Sequence, residues 1–208
     1  MPLPKINTPF YELTLPSTGE TVKYRPFLVK EEKLLLMAME GGKQKEIANA
    51  LRQIISNCTE GAINVDTLPI FDVEYIFLQL RIKSVEDVAK IKLQCAYCPE
   101  QITVNIDLKK VNVVFPKEKI DFNIPLTSDV GVTLKYPTLD MIKENPEGME
   151  NATQLFDLIC NCVDTIYDAE QVYKDFTKEE VLDFIETLPQ EQFKKISTFF
   201  ENMPKLQH

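Results

Sequence analysis

The stretch Ala89–Lys109 constrains the fold more than any other. Ala89, Ile91, Leu93 and Cys95 alternate with Lys90, Lys92 and Gln94. Ile102, Val104, Ile106 and Leu108 alternate with Thr103, Asn105 and Asp107. Successive side chains of a strand point to opposite faces, so each run gathers its apolar residues on one side. Between them lies a short Cys-x-x-Cys turn, Cys95-Ala96-Tyr97-Cys98. Two such runs around one turn predict an antiparallel hairpin with one buried and one wet face, the nucleus of a sheet.

The same period recurs. Tyr11, Leu13 and Leu15, then Val22 and Tyr24, flank Pro16-Ser17-Thr18-Gly19, a turn whose glycine is free to take positive φ. Residues 1–9 are proline-rich and read as an extended arm. Ile120, Phe122 and Ile124 alternate with polar neighbours, as do Val132, Leu134 and Tyr136. No connection between these runs has room for a crossover helix, so the sheet is expected to be antiparallel.

Helical spacing fills the rest. Val29–Glu40 is apolar almost all round, which predicts a deeply buried helix whose cover comes either from the other helices or from a partner, and Gly41-Gly42 stops it. Lys43–Asn57 is amphipathic, with Ile47, Ala50, Leu51, Ile54, Ile55 and Cys58 on one side. Asp72 is expected to N-cap a helix over Val73–Lys83, with Phe71 and Ile76 as a hydrophobic staple. A short helix is expected over Leu139–Glu144 and a longer one over Asn151–Thr165. Thr177-Lys178-Glu179-Glu180 is a capping box, and Pro189 suits the first position of a last helix that buries Phe193, Ile196, Phe200 and Met203. The fold class is α+β: a small antiparallel sheet from hairpins in the N-terminal and middle regions, flanked by helices, with a helical C-terminal subdomain. The expected division is an α+β domain over 1–137 and an acidic helical subdomain over 138–208, with Pro137–Gly148 between them.

The 208 residues carry a formal charge of −9, and all of it lies in residues 138–208, because acidic and basic side chains balance over 1–137. Phosphate binding needs Lys and Arg to displace counterions, so nucleic acid is excluded as a partner of that half. The acidic end reads either as a solvated helical face or as a surface that docks on a basic partner. No apolar run is long enough to span a membrane, and the first residues lack the basic and apolar regions of a signal peptide. Five cysteines in such a chain are expected to be reduced thiols in an intracellular protein.

The chemistry-bearing residues are few. Cys95 and Cys98 form half of a zinc-ribbon site, and a full site needs four ligands. The remaining candidates are Cys58, Cys160 and Cys162 on predicted helices and the single histidine, His208. A redox dithiol would sit where a strand feeds a helix, whereas Pro99 and a strand follow this pair. The plainer reading is a tight turn with two small side chains. Cys160 and Cys162, two apart on a helix, point to different faces and read as packing. With no internal histidine there is no Ser-His or Cys-His pair, and the six glycines form neither a P-loop nor a dinucleotide fingerprint. The expectation is a non-enzymatic protein with no cofactor and no small-molecule substrate, zinc at Cys95 and Cys98 being the one cofactor the residues leave open.

Leu3-Pro4-Lys5-Ile6-Asn7-Thr8-Pro9, a hairpin, and then Lys23-Tyr24-Arg25-Pro26-Phe27-Leu28-Val29-Lys30-Glu31-Glu32-Lys33-Leu34-Leu35-Leu36 resemble the small hub assembly protein family of T4-like contractile-tailed bacteriophages. The two-Cys hairpin at 95–98 is similar to that family as well. The resemblance implies a late viral protein, acting in the host cytoplasm, that helps build the baseplate hub by binding other hub proteins. It brings no active-site residues. The segment that carries it nominates Arg25, Phe27, Leu28, Glu31 and Glu32 as partner-binding residues, and charge reversal at Glu31 and Glu32 is expected to abolish assembly with the fold intact. Two other roles remain open: a permanent structural subunit of the hub in the virion, and a zinc-ribbon-like adaptor.

Overall fold

The computed structural model describes residues 6–94, 98, 100–117, 119–144 and 152–208, and opens with the expected hairpin. Strand β1 (Tyr11–Thr14) pairs antiparallel with β2 (Thr21–Tyr24), Leu13 opposite Val22. Gly19 turns the chain at φ 75°, a conformation that costs glycine little. Leu13, Leu15, Val22 and Tyr24 are buried in one cluster with residues of the helices that follow. Helix α1 (Val29–Gly41) ends at Gly42, which adopts φ 67° and donates its N–H to the Met39 carbonyl. Helix α2 (Gln44–Cys58) follows, burying Ala48, Ala50, Ile54, Ile55 and Cys58.

Helix α3 starts earlier than expected, at Ile70, and runs to Ser84. Pro69, not Asp72, is its N-cap. Asp72 instead faces the first hairpin: its carboxylate accepts from the Ser17 backbone N–H at 3.1 Å and from the Ser17 hydroxyl. Phe71 makes no staple; it meets the rings of Phe115 and Tyr136 edge-on. These helices and the first hairpin enclose one apolar cluster, centred on Ile54, Ile55, Ile76 and Leu80.

Strand β3 (Val88–Gln94) and β4 (Gln101–Asp107) pair in the register the alternation predicts: Ala89 with Ile106, Ile91 with Val104, Leu93 with Ile102. The expectation that this hairpin nucleates a larger sheet is overturned. It forms a two-stranded sheet of its own, and its apolar face is not buried. Strand β5 (Asn112–Val114) pairs with a strand from the far end of the chain, β10 (Lys205–Gln207).

The larger sheet lies further on, in the order β6 (Asn123–Pro125), β7 (Gly131–Leu134), β8 (Val163–Tyr167), β9 (Val172–Tyr173), all antiparallel. Half of it comes from the region expected to be a helical subdomain. Helix α5 (Ala152–Cys162) stops at Cys162, where a helix to Thr165 was predicted. Val163, Thr165 and Ile166 are β-branched and occupy a central strand, where such side chains pack well. Tyr167 crosses to lie directly over Gly131, where a Cβ would overlap its ring.

Short helix α4 (Leu139–Glu144) lies where predicted. Helix α6 (Lys178–Glu186) opens with the expected capping box: the Glu180 N–H donates to Thr177 Oγ1 at 3.2 Å, and the Thr177 N–H donates to Glu180 Oε2 at 2.7 Å. Helix α7 (Gln190–Glu201) has Pro189 at its N-cap, one position before the predicted one. Val132, Leu134, Ile159, Val181, Ile185 and Ile196 form the second apolar cluster. A chain of rings joins the clusters, from Phe71 through Tyr136 to Phe199, with centroids 5.1 and 6.0 Å apart.

Candidate partner-docking surface

The segment Arg25–Glu32 is held by three elements at once. The Arg25 N–H donates to the Cys58 carbonyl at the end of α2, 2.9 Å away. The Phe27 N–H donates to Ser84 Oγ at the end of α3, also at 2.9 Å. The Arg25 guanidinium reaches Glu31 Oε1 at 3.1 Å, and Glu31 Oε2 accepts the Leu28 N–H at 2.8 Å. Glu31 therefore satisfies an orphan donor at the start of α1 while neutralising Arg25. Its side chain is only 1% exposed. Burial raises the Glu31 carboxyl, but the hydrogen bond from Arg25, the Leu28 N–H and the charges of Arg25 and Lys30 outweigh it, and the group sits below the ordinary glutamate value.

The five nominated residues thus divide. Arg25 and Glu31 face inward as a paired, capped ion pair, and Phe27 is half-buried against the first cluster. Leu28 and Glu32 are exposed. Charge reversal at Glu31 would strike the fold, so it does not isolate docking.

Helix α1 is the larger correction. Its inner face, with Glu31 and Ala38 buried and Leu34 and Leu35 half-buried, packs on α2 and the first cluster. The outer face is not covered: Leu36 is 55% exposed, Met37 59% and Met39 58%, with Val29 more exposed still. A helix apolar all round needs cover on both sides, and the chain supplies it on one.

The β3–β4 hairpin repeats the pattern. Ile91, Leu93, Ile102 and Val104 share one exposed apolar face, while Lys90, Lys92, Thr103 and Asn105 occupy the other. Among the described residues its extensive packing is confined to its own two strands. The turn is only partly in view: Cys95 lies outside the described residues, and Cys98 is an exposed free thiol. Cys58, Cys160 and Cys162 are buried free thiols. Burial pushes Cys58 and Cys160 to about 11 and Cys162 to about 12, so all three stay protonated at neutral pH. Among the described residues no group of three or more His, Cys, Asp or Glu side chains is placed to hold a metal, and no helix is long and apolar enough to cross a membrane.

Sequence reasoning left the cover of α1 open between the chain's own helices and a partner, and the chain leaves Val29, Leu36, Met37 and Met39 exposed. The signal was a helix apolar almost all round, more than one packed face needs.

Apolar surface thus lies bare on two separate elements, α1 and the β3–β4 hairpin. The family described as T4 bacteriophage base plate protein matches residues 8–208, and the chain belongs to that family. No curated protein and no solved structure matches it. The resemblance noted above therefore holds at the level of the baseplate.

Proposed function

We propose that this protein is a non-enzymatic assembly factor for the central baseplate hub, acting in the host cytoplasm. It binds another hub subunit and leaves before the virion matures. The observation that carries this reading is the bare outer face of α1, Val29, Leu36, Met37 and Met39, next to the exposed Leu28 and Glu32. Apolar residues held on a rigid helix offer a preformed docking stripe for a partner's groove or helix. The hub, as opposed to another part of the baseplate, is supported by the resemblance of residues 23–36 to the hub assembly family.

The test is the double substitution Leu36→Glu, Met37→Glu. Both side chains are solvent-facing, so the circular dichroism spectrum should match the parent. Hub intermediates should be lost from infected cells. Normal hub assembly in that background would overturn the proposal.

A permanent hub subunit is the second reading, favoured by one observation: two bare apolar elements suit the larger, more apolar interfaces of obligate complexes. Mass spectrometry of purified tails separates the two. Stoichiometric presence supports the permanent subunit, and absence from finished tails supports the departing factor.

A further inference from the structure

A second surface lies on the other half of the molecule. A groove of about 400 Å³ opens between the β8–β9 hairpin and α6. Ile166, Tyr173, Phe176 and Phe184 form its apolar walls, and Asp168, Asp175 and Glu180 stand among its lining. Among the described residues, no lysine or arginine forms an ion pair with any of these three carboxylates. The nearby Lys178 is engaged elsewhere, 2.8 Å from Asp157.

Two of the acids, Asp168 and Glu180, are held in place by hydrogen bonds. Asp168 accepts the N–H groups of Glu170 and Gln171 at 2.8 and 2.9 Å and the Tyr173 hydroxyl at 2.8 Å. The same carboxylate therefore shapes the turn and fixes the tyrosine that walls the groove. Glu180 is held by the capping box. Beside the groove runs β9, the last strand of the four-stranded sheet, paired on one side only among the described residues. Val172 and Tyr173 on that edge are 59% and 41% exposed. A free strand edge is a template for an added strand.

We propose that this groove receives an extended segment of a partner protein that carries arginine or lysine, lying along β9 with a basic side chain between the carboxylates and against the aromatic wall. Charge complementarity decides the occupant. An aromatic face and uncompensated carboxylates both attract a cation, and both disfavour an acidic or phosphorylated ligand. The site is separate from the α1 face and does not rest on the hub proposal, and its test needs no tail assembly.

The test uses the full-length purified protein and a fluorescent peptide alternating Arg with Val and Thr. The peptide should bind saturably, and its acidic counterpart with Glu in place of Arg should not. Asp175→Asn and Tyr173→Ala should each weaken binding at least tenfold, whereas Glu191→Gln, an exposed acid on α7 outside the groove, should leave it unchanged. Asp168→Asn should act like Asp175→Asn, and if it disturbs the turn then Asp175→Asn carries the test alone. Equal weakening by Glu191→Gln, absence of saturable binding, or equally tight binding of free spermidine would each overturn the proposal. So would self-association of the chain that blocks the peptide.

Discussion

The side chains of Arg25 and Glu31 explain why a distinctive run of sequence need not be an interface. Their pairing, with Glu31 also capping α1, is an internal device. Removing one partner leaves the other charge buried. Arg25→Ala is therefore expected to cost about 3–5 kcal/mol in urea denaturation, and Glu31→Gln less, because the amide oxygen still accepts the Leu28 N–H. A loss below about 1 kcal/mol for Arg25→Ala would show that the pair is worth no more than an exposed one. Two buried acids also pull the pH dependence in opposite directions. Glu31 is held below its ordinary value, so its stabilising contribution is present above about pH 4.3 and fades as the pH falls further. Asp72 is raised, chiefly by burial and against the hydrogen bonds from Ser17. Its folded form thus holds its proton longer than the unfolded chain does, and its contribution declines as the pH rises above about 4. Stability measured between pH 3 and 6 should show the gap between parent and Glu31→Gln closing toward acid, while the gap between parent and Asp72→Asn shifts in the parent's favour. Gly131 is a separate constraint, since a Cβ there meets the Tyr167 ring. Gly131→Ala should cost about 1–3 kcal/mol by overpacking. An unchanged melting temperature would mean that the tyrosine swings away freely.

At the level of elements, what the sequence disclosed was pairing, and what it concealed was cover. The register of β3 with β4 follows from alternation alone, because Ile91 and Val104 must share a face if both strands are to be amphipathic. Whether anything packs on that face depends on residues far away in the chain, and here nothing among the described residues does so extensively. The same holds for α1: period, stop signal and the need for cover on every side were legible, whereas which residues the chain itself leaves bare was not. Strand β8 was hidden differently, since Cys162 ends a helical pattern and Val163 begins a strand with no glycine or proline between them. An uncovered hairpin should open readily. Hydrogen exchange of the amides of Lys90–Lys92 should therefore outpace that of Ile54 and Ile55 by orders of magnitude in the isolated protein. Comparable protection would imply that the hairpin face is covered in solution. On α1 the two faces should separate cleanly: Leu36→Lys should stay within about 0.5 kcal/mol of the parent, while Leu35→Ala should cost about 2 kcal/mol.

Across the whole molecule, the far end of the chain returns to the first half. Strand β10 pairs residue by residue with β5, Leu206 opposite Val113, and lies against α3. The strand thereby ties the helix that ends the acidic half to the helix that centres the first apolar cluster. The Phe71–Tyr136–Phe199 contacts make a second tie at the same junction. Two clusters joined in this way should unfold together while these contacts hold. Without the strand, cooperativity rests on the aromatic contacts and on helix α4, which packs on α2 with Asp140 3.1 Å from Arg52. A chain lacking residues 204–208 loses the half-buried Leu206 and the β5 pairing, together worth about 1–3 kcal/mol. It should then melt in two calorimetric steps, with the β3–β4 hairpin unaffected. Phe199→Ala in that shortened chain should move the two steps further apart, since it removes the aromatic tie as well. A single sharp transition in the doubly altered chain would show that the halves are coupled by contacts other than these.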